Sequence, residues 1–463
     1  MHNHSPTTRP FGLRDKLGYL FGDFGNDFTF ILSTSILMKF YTDVMGVPAA
    51  IVGAIMMIAR FVDAFTDITM GRICDRSKVT ANGKFRPWIL RMCGPVAVAS
   101  FLIYQSSLAG ASTTFKTVYL FITYILWGSV FYTSVNIPYG SMASAISADP
   151  DDRQSLSSFR TMGGTLAGVV IGVGLPLFAY EKIGGVETLV GSRVTLIAGI
   201  FSVLSIICYL LCYALTTERV LPRSEPGTKA SNSVGNMLRN ALKNRALISI
   251  IVASIFMLLA QLTMQSMNSY IYPDYYNNAG AQSVSTLMMM FGYFVAGAAA
   301  KPLARKFGKA EISIVSNLLA TVICAVLFLL RPQNVWVYVI FQFFNWLFLG
   351  VFSMVVWALI TDVIDYSELQ NGVREDGSVY ALYSFSRKLG QAASSGLTGV
   401  LISMVGYTDA TRTDPGVLDG TFNISTAVPA IGFLVLALVL WFWYPLHKKQ
   451  VDANVEALKQ KHT

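Results

Sequence analysis

Long apolar runs, each ended by a short polar segment, recur along the whole chain. Their length suits a helix crossing an apolar layer of about 30 Å better than a strand or a core helix of a water-soluble domain. Read in order, the pattern predicts twelve spans, near 18–44, 48–74, 87–109, 117–147, 157–181, 192–216, 246–275, 283–302, 311–330, 335–361, 378–405 and 424–445. The longest polar interruption holds Pro222, Pro226, Gly227 and a Ser/Asn cluster, and it reads as a linker. The predicted organisation is a six-helix bundle over 1–216, a cytoplasmic linker over 217–245, a second six-helix bundle over 246–445 and a cytoplasmic tail over 446–463.

The two halves echo each other. "GRICDR" closes the second run and "KPLARKFGK" the eighth, while "SSFRTMGG" opens the fifth and "YSFSRKLG" the eleventh. Equivalent positions in two halves are what a parallel repeat about an axis along the membrane normal produces. With its longest loop central, an all-α membrane protein of twelve transmembrane helices fits the major facilitator architecture, in which substrate is held near the midplane.

Composition agrees: 53% of residues are hydrophobic, 13% are charged and the mean hydropathy is +0.52, which excludes an ordinary soluble domain. The net charge of +9 does not mark a nucleic-acid partner, because the bases sit in alternate loops. Arg76, Lys78, Lys84 and Arg86 follow the second run; Arg219 to Arg245 follow the sixth; Arg305, Lys306 and Lys309 follow the eighth; Lys448 and Lys449 begin the tail. By the positive-inside rule both termini are expected in the cytoplasm, and the first span is expected to direct insertion. Cys74, Cys93, Cys208, Cys212 and Cys324 form no CxxC pair, so they are expected to pack rather than to bridge or to bind zinc. With no His/Cys cluster, Ser/His/Asp set or phosphate loop, the chain reads as a carrier without a cofactor, not an enzyme.

Ionisable residues inside spans carry the chemistry. One carboxylate at a span centre costs about 2.5–3.5 kcal/mol on insertion scales, yet "VDAFTD" places Asp63 and Asp67 one helical turn apart, and "FGDFGNDF" does the same with Asp23 and Asp27. Four carboxylates on neighbouring helices form a negative cluster that a proton or a small hard cation such as Na⁺ can neutralise. Thr133 adds a hydroxyl, and Pro138 frees a carbonyl near Ser134. The alternative is that Asp63 and Asp67 pair with Arg60 and Arg72, and that Asp23 pairs structurally near Lys16. Arg160, Arg387 and Lys388 can bind substrate, balance the carboxylates or snorkel. Gln261, Gln265 and Asn268 form a polar stripe suited to a hydroxyl-rich ligand or to helix association. Tyr132 and Trp357 can stack on a sugar ring, or pack in the core.

The stretches "FYTDVMGVP", "ARFVDAFTDITMGRICDR", "GKFRPWIL", "SVNIPYGSMASAIS" and "ITDVIDYSE…GVREDGSVYALYSFSRK" together resemble the glycoside–pentoside–hexuronide cation symporters, most of all the melibiose and glucuronide carriers of that family. The resemblance implies uptake of a sugar coupled to Na⁺, Li⁺ or H⁺ by alternating access. It places Asp63, Asp67 and Thr133 in a cation site. It ties Asp27, Arg160 and Lys388 to the sugar, with Tyr132 beside them, and assigns Asp362, Asp365, Tyr366 and Arg374 to a cytoplasmic gate, with Asp75 and Arg76 of "GRICDR" as its counterpart. Two departures concern the substrate. Asn136 stands where the melibiose carriers have a second sugar-binding carboxylate, and Gly140 where they have a Trp. With Asp27 present and that clamp halved, a neutral glycoside or pentoside is expected, the alternatives being a hexuronide or an uncoupled facilitator. The other expectations are a bacterial cytoplasmic membrane, a lipid bilayer and small-molecule sugar as partners, no nucleic acid, and a monomer.

Overall fold

The protein is described by a computed structural model covering residues 9–220, 244–371 and 376–462. The chain divides into two compact units, Met1–Pro226 and Gly227–Thr463.

The first unit contains α1 (Leu13–Lys39), which runs into a π turn at Phe40–Val44, then α2 (Ala49–Arg76) and α3 (Arg86–Ile103). Next come α4 (Thr113–Ile146), interrupted by a π turn at Leu126–Tyr132, then α5 (Pro150–Ala179) and α6 (Gly191–Leu215). Helix starts follow local chemistry: Ser112 caps α4, and Asp149 caps α5 just before a proline at its first position. α1 packs against both α5 and α6. Small residues permit that approach: a Cβ on Gly163 of α5 would run into the Leu20 carbonyl, and one on Gly18 of α1 would lie 2.8 Å from Leu215 Cβ of α6. Between α5 and α6 a hairpin pairs β1 (Tyr180–Ile183) with β2 (Val186–Leu189), Tyr180 opposite Leu189. Its turn residues Gly184 and Gly185 both have positive φ, the signature of a two-residue primed turn that the hydropathy pattern passed over.

Residues 217–220, read from sequence as the start of the linker, are fastened to this unit. Asp15, fully buried, takes Arg9 at 2.7 Å and Arg219 at 2.8 Å. The Glu218 carboxylate accepts the backbone N–H groups of Lys84, Phe85 and Arg86 at 2.7, 2.9 and 2.8 Å, satisfying the orphan donors that open α3.

The second unit contains α7 (Arg245–Tyr270), ending in a π turn at Ile271–Tyr275, then α8 (Ala279–Phe307), α9 (Lys309–Leu330) and α10 (Val335–Asn371). It continues with α11 (Asp376–Met404), α12 (Pro415–Leu438, with a π turn at Val439–Trp443) and a polar helix α13 (Lys448–His462). α7 packs on α11 and α12, and α10 packs on α8 and α9, around a core that includes Trp346, Leu349, Phe352, Tyr383 and Phe433.

Among the described residues ten helices are long and apolar enough to cross a bilayer. The two remaining stretches that the sequence reading took as spans became α1 and α11. Both are long enough, but α1 carries Asp15, Lys16, Asp23 and Asp27, and α11 carries Arg387, Lys388 and Gln391.

The internal echo extends further than the sequence reading recognised. α1 and α7, the first helices of their units, end alike. In α1 the N–H groups of Met45 and Val47 reach the carbonyls of Phe40 (3.2 Å) and Tyr41 (2.8 Å) across Gly46, whose φ is +64°. In α7 those of Tyr276 and Asn278 reach Ile271 (3.0 Å) and Tyr272 (2.8 Å) across Asn277, φ +49°. The shared signature is Tyr-x-Asp: Tyr41 and Asp43, Tyr272 and Asp274.

Candidate functional site

Two polar clusters lie inside the first unit. The first joins α2 to α4. Asp63, buried, receives Arg60 Nη1 on Oδ2 at 3.0 Å and the Ser129 hydroxyl on Oδ1. Arg60 also donates to the Tyr124 hydroxyl at 3.3 Å and stands 5.1 Å from the centre of the Phe30 ring. One turn along α2, half-buried Asp67 accepts the Thr133 hydroxyl at 2.9 Å, and the Gly128 carbonyl is 3.3 Å from that same hydroxyl oxygen. The π turn sets this register, because the extra residue turns Ser129 and Thr133 toward the two aspartates, with the Gly128 carbonyl accepting the Thr133 backbone N–H across the wider turn. Pro138 lies inside α4, where it has no N–H to give the Ser134 carbonyl, and the π turn at Leu126–Tyr132 is a further irregularity before it.

The resulting donor set is carboxylate, hydroxyl and carbonyl oxygen, which suits a proton or a hard cation. Among the described residues no group of three or more His, Cys, Asp or Glu can hold a metal. A cation here would therefore rely on neutral oxygens beside Asp63 and Asp67.

The second cluster joins α1 to α5. Arg160 Nε pairs with Asp23 Oδ1 at 2.9 Å, and its guanidinium lies 5.2 Å from the Tyr139 ring centre. Asp27 and Asp23 both close over Gly164: a Cβ there would lie 2.5 Å from Asp27 Oδ2 and 3.0 Å from Asp23 Oδ2. The absent side chain is what admits two carboxylates against the α5 backbone. Gly140 faces Arg160, with a notional Cβ 3.7 Å from Nη1. Tyr132 stacks on Phe30 with ring centres 5.7 Å apart, and half-buried Asn136 follows it by one turn. Phe30 thus has Arg60 of the first cluster and Tyr132 beside the second as neighbours.

The expected four-carboxylate cluster is corrected accordingly. Asp23 and Asp63 each hold a guanidinium. The partner of Asp23 is Arg160, whereas the Lys16 ammonium lies over Phe11 at 5.5 Å. For Asp63 the alternative pairing with Arg60 is present. Ser129, Tyr124 and Gly164 were not singled out from the sequence; the pairing of a small residue with Thr133 in "GSVFYT" and the double glycine in "TMGG" are the traces they left.

In the second unit Gln261, Gln265 and Asn268 are half-buried along α7, and Gln261 reaches the Tyr293 hydroxyl at 3.4 Å. Trp357 is 44% exposed rather than packed in the core, with the Tyr383 ring edge-on at 4.9 Å and the Arg387 guanidinium 5.8 Å from its centre. Lys388, the next residue on α11, is half-buried. Of the residues expected at a gate, buried Asp362 pairs with Lys309 at 2.6 Å, Asp365 is half-buried, and Tyr366 accepts Gln370 at 2.6 Å. Arg374 lies outside the described residues. Asp75 and Arg76 are exposed at the end of α2, where the Asp75 carbonyl accepts Lys84 Nζ at 3.0 Å. All five cysteines are buried and unbridged.

Comparison with known proteins agrees with this architecture. The family model described as MFS/sugar transport protein matches residues 18–448. Relatives 30% identical include the uncharacterized symporter YjmB of Bacillus subtilis (strain 168), covering 98% of this chain and 97% of that protein. They also include a glucuronide carrier protein homolog of Escherichia coli (strain K12), at 94% and 93%, and an isoprimeverose transporter of Lactiplantibacillus pentosus, at 99% and 95%. Among solved structures, a mutant of the nucleoside transporter NupG superposes with a TM-score of 0.68 at 14% identity, covering 93% of this chain and all of that one, a likeness of fold alone. A multi-pass membrane chain whose motifs, family match and relatives agree over nearly its full length belongs to the MFS/sugar transport protein family, a family of carriers and not of enzymes.

Proposed function

We propose that the protein is a secondary active symporter that takes up a glycoside or pentoside with Na⁺, Li⁺ or H⁺ by alternating access, needing no cofactor beyond the coupling ion. The observation that carries this reading is the pair of clusters in one unit, oxygens around Asp63, Asp67 and Thr133 on one side of Phe30 and the Asp23, Asp27 and Arg160 group beside Tyr132 on the other. A cation at the first changes the field at the second over a short path, and coupling so produced is reciprocal: each ligand raises affinity for the other.

Charge supports a neutral substrate. The Arg160 guanidinium is already engaged by Asp23, with the Asp27 carboxyl beside that pair, so the cluster holds no spare cation for an anionic substrate. An anionic uronide entering there meets repulsion, whereas sugar hydroxyls find acceptors in the carboxylates and a donor in Asn136. The hexuronide reading rests on the glucuronide carrier homolog and on the positive charges of Arg387 and Lys388.

The same reading takes α1 and α11 as the eleventh and twelfth spans. It places the loop bearing Lys78 and the end of α8 bearing Lys306, together with the linker and tail, in the cytoplasm of a bacterial inner membrane. The exposed Asp75 and Arg76 and the Lys309–Asp362 pair then belong to cytoplasmic gating. Proteoliposomes loaded without sugar and given an inward gradient of Na⁺, Li⁺ or H⁺ test the proposal against labelled neutral glycosides, pentosides and glucuronides. Accumulation above the outside concentration with one cation upholds it. Equilibration without accumulation under every gradient makes the protein a facilitator.

A further inference from the structure

A cavity of about 620 Å³ lies within the second unit, where the ends of α8 and α10 meet the start of α9 and the tail helix α13. Its volume is in the range of small-ligand sites, roughly 300–1,000 Å³. Its polar lining is Lys301 and Arg305 of α8, Lys309 of α9, Asp362 of α10, and Lys448 and Asp452 of α13. Four cations face two carboxylates, a surplus of two positive charges.

The cations differ in how they are occupied. Lys309 is bound to Asp362 at 2.6 Å. Lys448 Nζ donates to the carbonyls of Lys306 (2.7 Å) and Arg305 (3.2 Å), which end α8, and its backbone N–H donates to Glu311 at 2.9 Å. These contacts fasten the start of α13 over the cavity. Lys301 and Arg305, one turn apart on the same face of α8, have no side-chain ion pair or hydrogen bond among the described residues. Lys301 and Arg305 are exposed, but they line a concavity that the tail helix bounds on one side, and there the field of unmatched cations is focused.

We propose that this cavity is a binding site for a phosphate ester, whose charge of −1 to −2 matches the surplus and whose oxygens suit an arginine fork beside a lysine. The ester is either the headgroup of an anionic phospholipid or a soluble phosphate compound, and bound there it bridges α8 to the tail helix.

The full-length protein in phosphatidylcholine nanodiscs is titrated with inorganic phosphate against sodium chloride of equal ionic strength, and separately prepared with phosphatidylglycerol replacing a third of the lipid. Unfolding is followed by tryptophan fluorescence. A rise in the midpoint of about 3 °C with either probe is expected, by preferential binding to the folded state. The rise is expected to vanish in the double variant Lys301→Gln/Arg305→Gln and to persist in Lys449→Gln, which removes a tail charge outside the cavity. A rise with phosphate assigns a soluble ligand, and a rise with phosphatidylglycerol alone assigns a lipid. No rise with either probe, or a rise undiminished in the double variant, overturns the proposal. Native mass spectrometry of the unaltered protein gives a second measure should the double variant not fold: an adduct of neither phosphate nor phosphatidylglycerol overturns it equally.

Discussion

Asp63 is buried against Arg60, and a buried ion pair is vulnerable chiefly to the loss of one partner. Arg60→Ala leaves a carboxylate uncompensated and is expected to cost about 3–5 kcal/mol, read as a lower unfolding midpoint, and Asp63→Asn in the same chain is expected to restore part of it. Asp67 takes its hydroxyl partner from a different helix, so its removal tests coupling more than folding. Asp67→Asn is expected to abolish cation-driven accumulation in proteoliposomes while sugar exchange persists; continued accumulation would sink the cation assignment. Thr133→Ala removes one neutral oxygen and is expected to weaken the coupling cation about tenfold, about 1.4 kcal/mol, in a cation titration of uptake. The one-turn spacing of Asp63 and Asp67, and of Asp23 and Asp27, was legible because charge inside an apolar run is costly. The Arg60 partner of Asp63, three positions away, was among the alternatives the sequence offers; the Arg160 partner of Asp23 was not, because it lies 137 positions away.

At the scale of the element, two irregularities shape the clusters. The π turn of α4 brings Ser129 to Asp63 and Thr133 to Asp67 together. Deleting Val130 is expected to restore the regular ladder, rotate one of these hydroxyls away by about 100°, and abolish coupling with the helix still formed. Gly164 of α5 is the floor under Asp23 and Asp27. Gly164→Ala is expected to push Asp27 aside and weaken sugar binding at least about tenfold, with cation affinity little changed, which isothermal titration in detergent can separate. Hydropathy located most helices because a bilayer imposes one length. It passed over the Gly184–Gly185 hairpin, whose signal is local, and a polar tail helix that gains its hold from contacts such as Glu311 with Lys448. It read α1 and α11 as spans; both are long enough, but their polar content leaves them out of the ten helices apolar enough to cross a bilayer. Polar content of that kind marks helices that line a hydrated path in a carrier.

For the whole molecule, alternation of the basic loops predicts sidedness that chemistry can read. The native cysteines are buried, so background labelling is low. Cysteines introduced as Lys78→Cys, Lys306→Cys and Lys449→Cys are expected to react with an impermeant maleimide only from the cytoplasmic face. Ser107→Cys and Asp409→Cys are expected to react only from the opposite face. Any of the first three labelled in intact cells would invert the topology. The division into two units was legible from one long polar loop, but its first residues, bound through Glu218 and Arg219, belong structurally to what precedes them.

The matched endings of α1 and α7 carry a consequence for ancestry. Two segments that share a π turn, the same pair of backbone hydrogen bonds and Tyr-x-Asp, yet differ in the residue at positive φ, are what gene duplication followed by drift leaves behind. The backbone hydrogen bonding is the same in both endings although most of the amino acids around it differ. Gly46 and Asn277 hold equivalent positions in the two endings, both drawn from the few residues that tolerate a left-handed conformation. A half-length progenitor that assembled as a pair would have needed this bend twice, and its heirs now vary each copy separately.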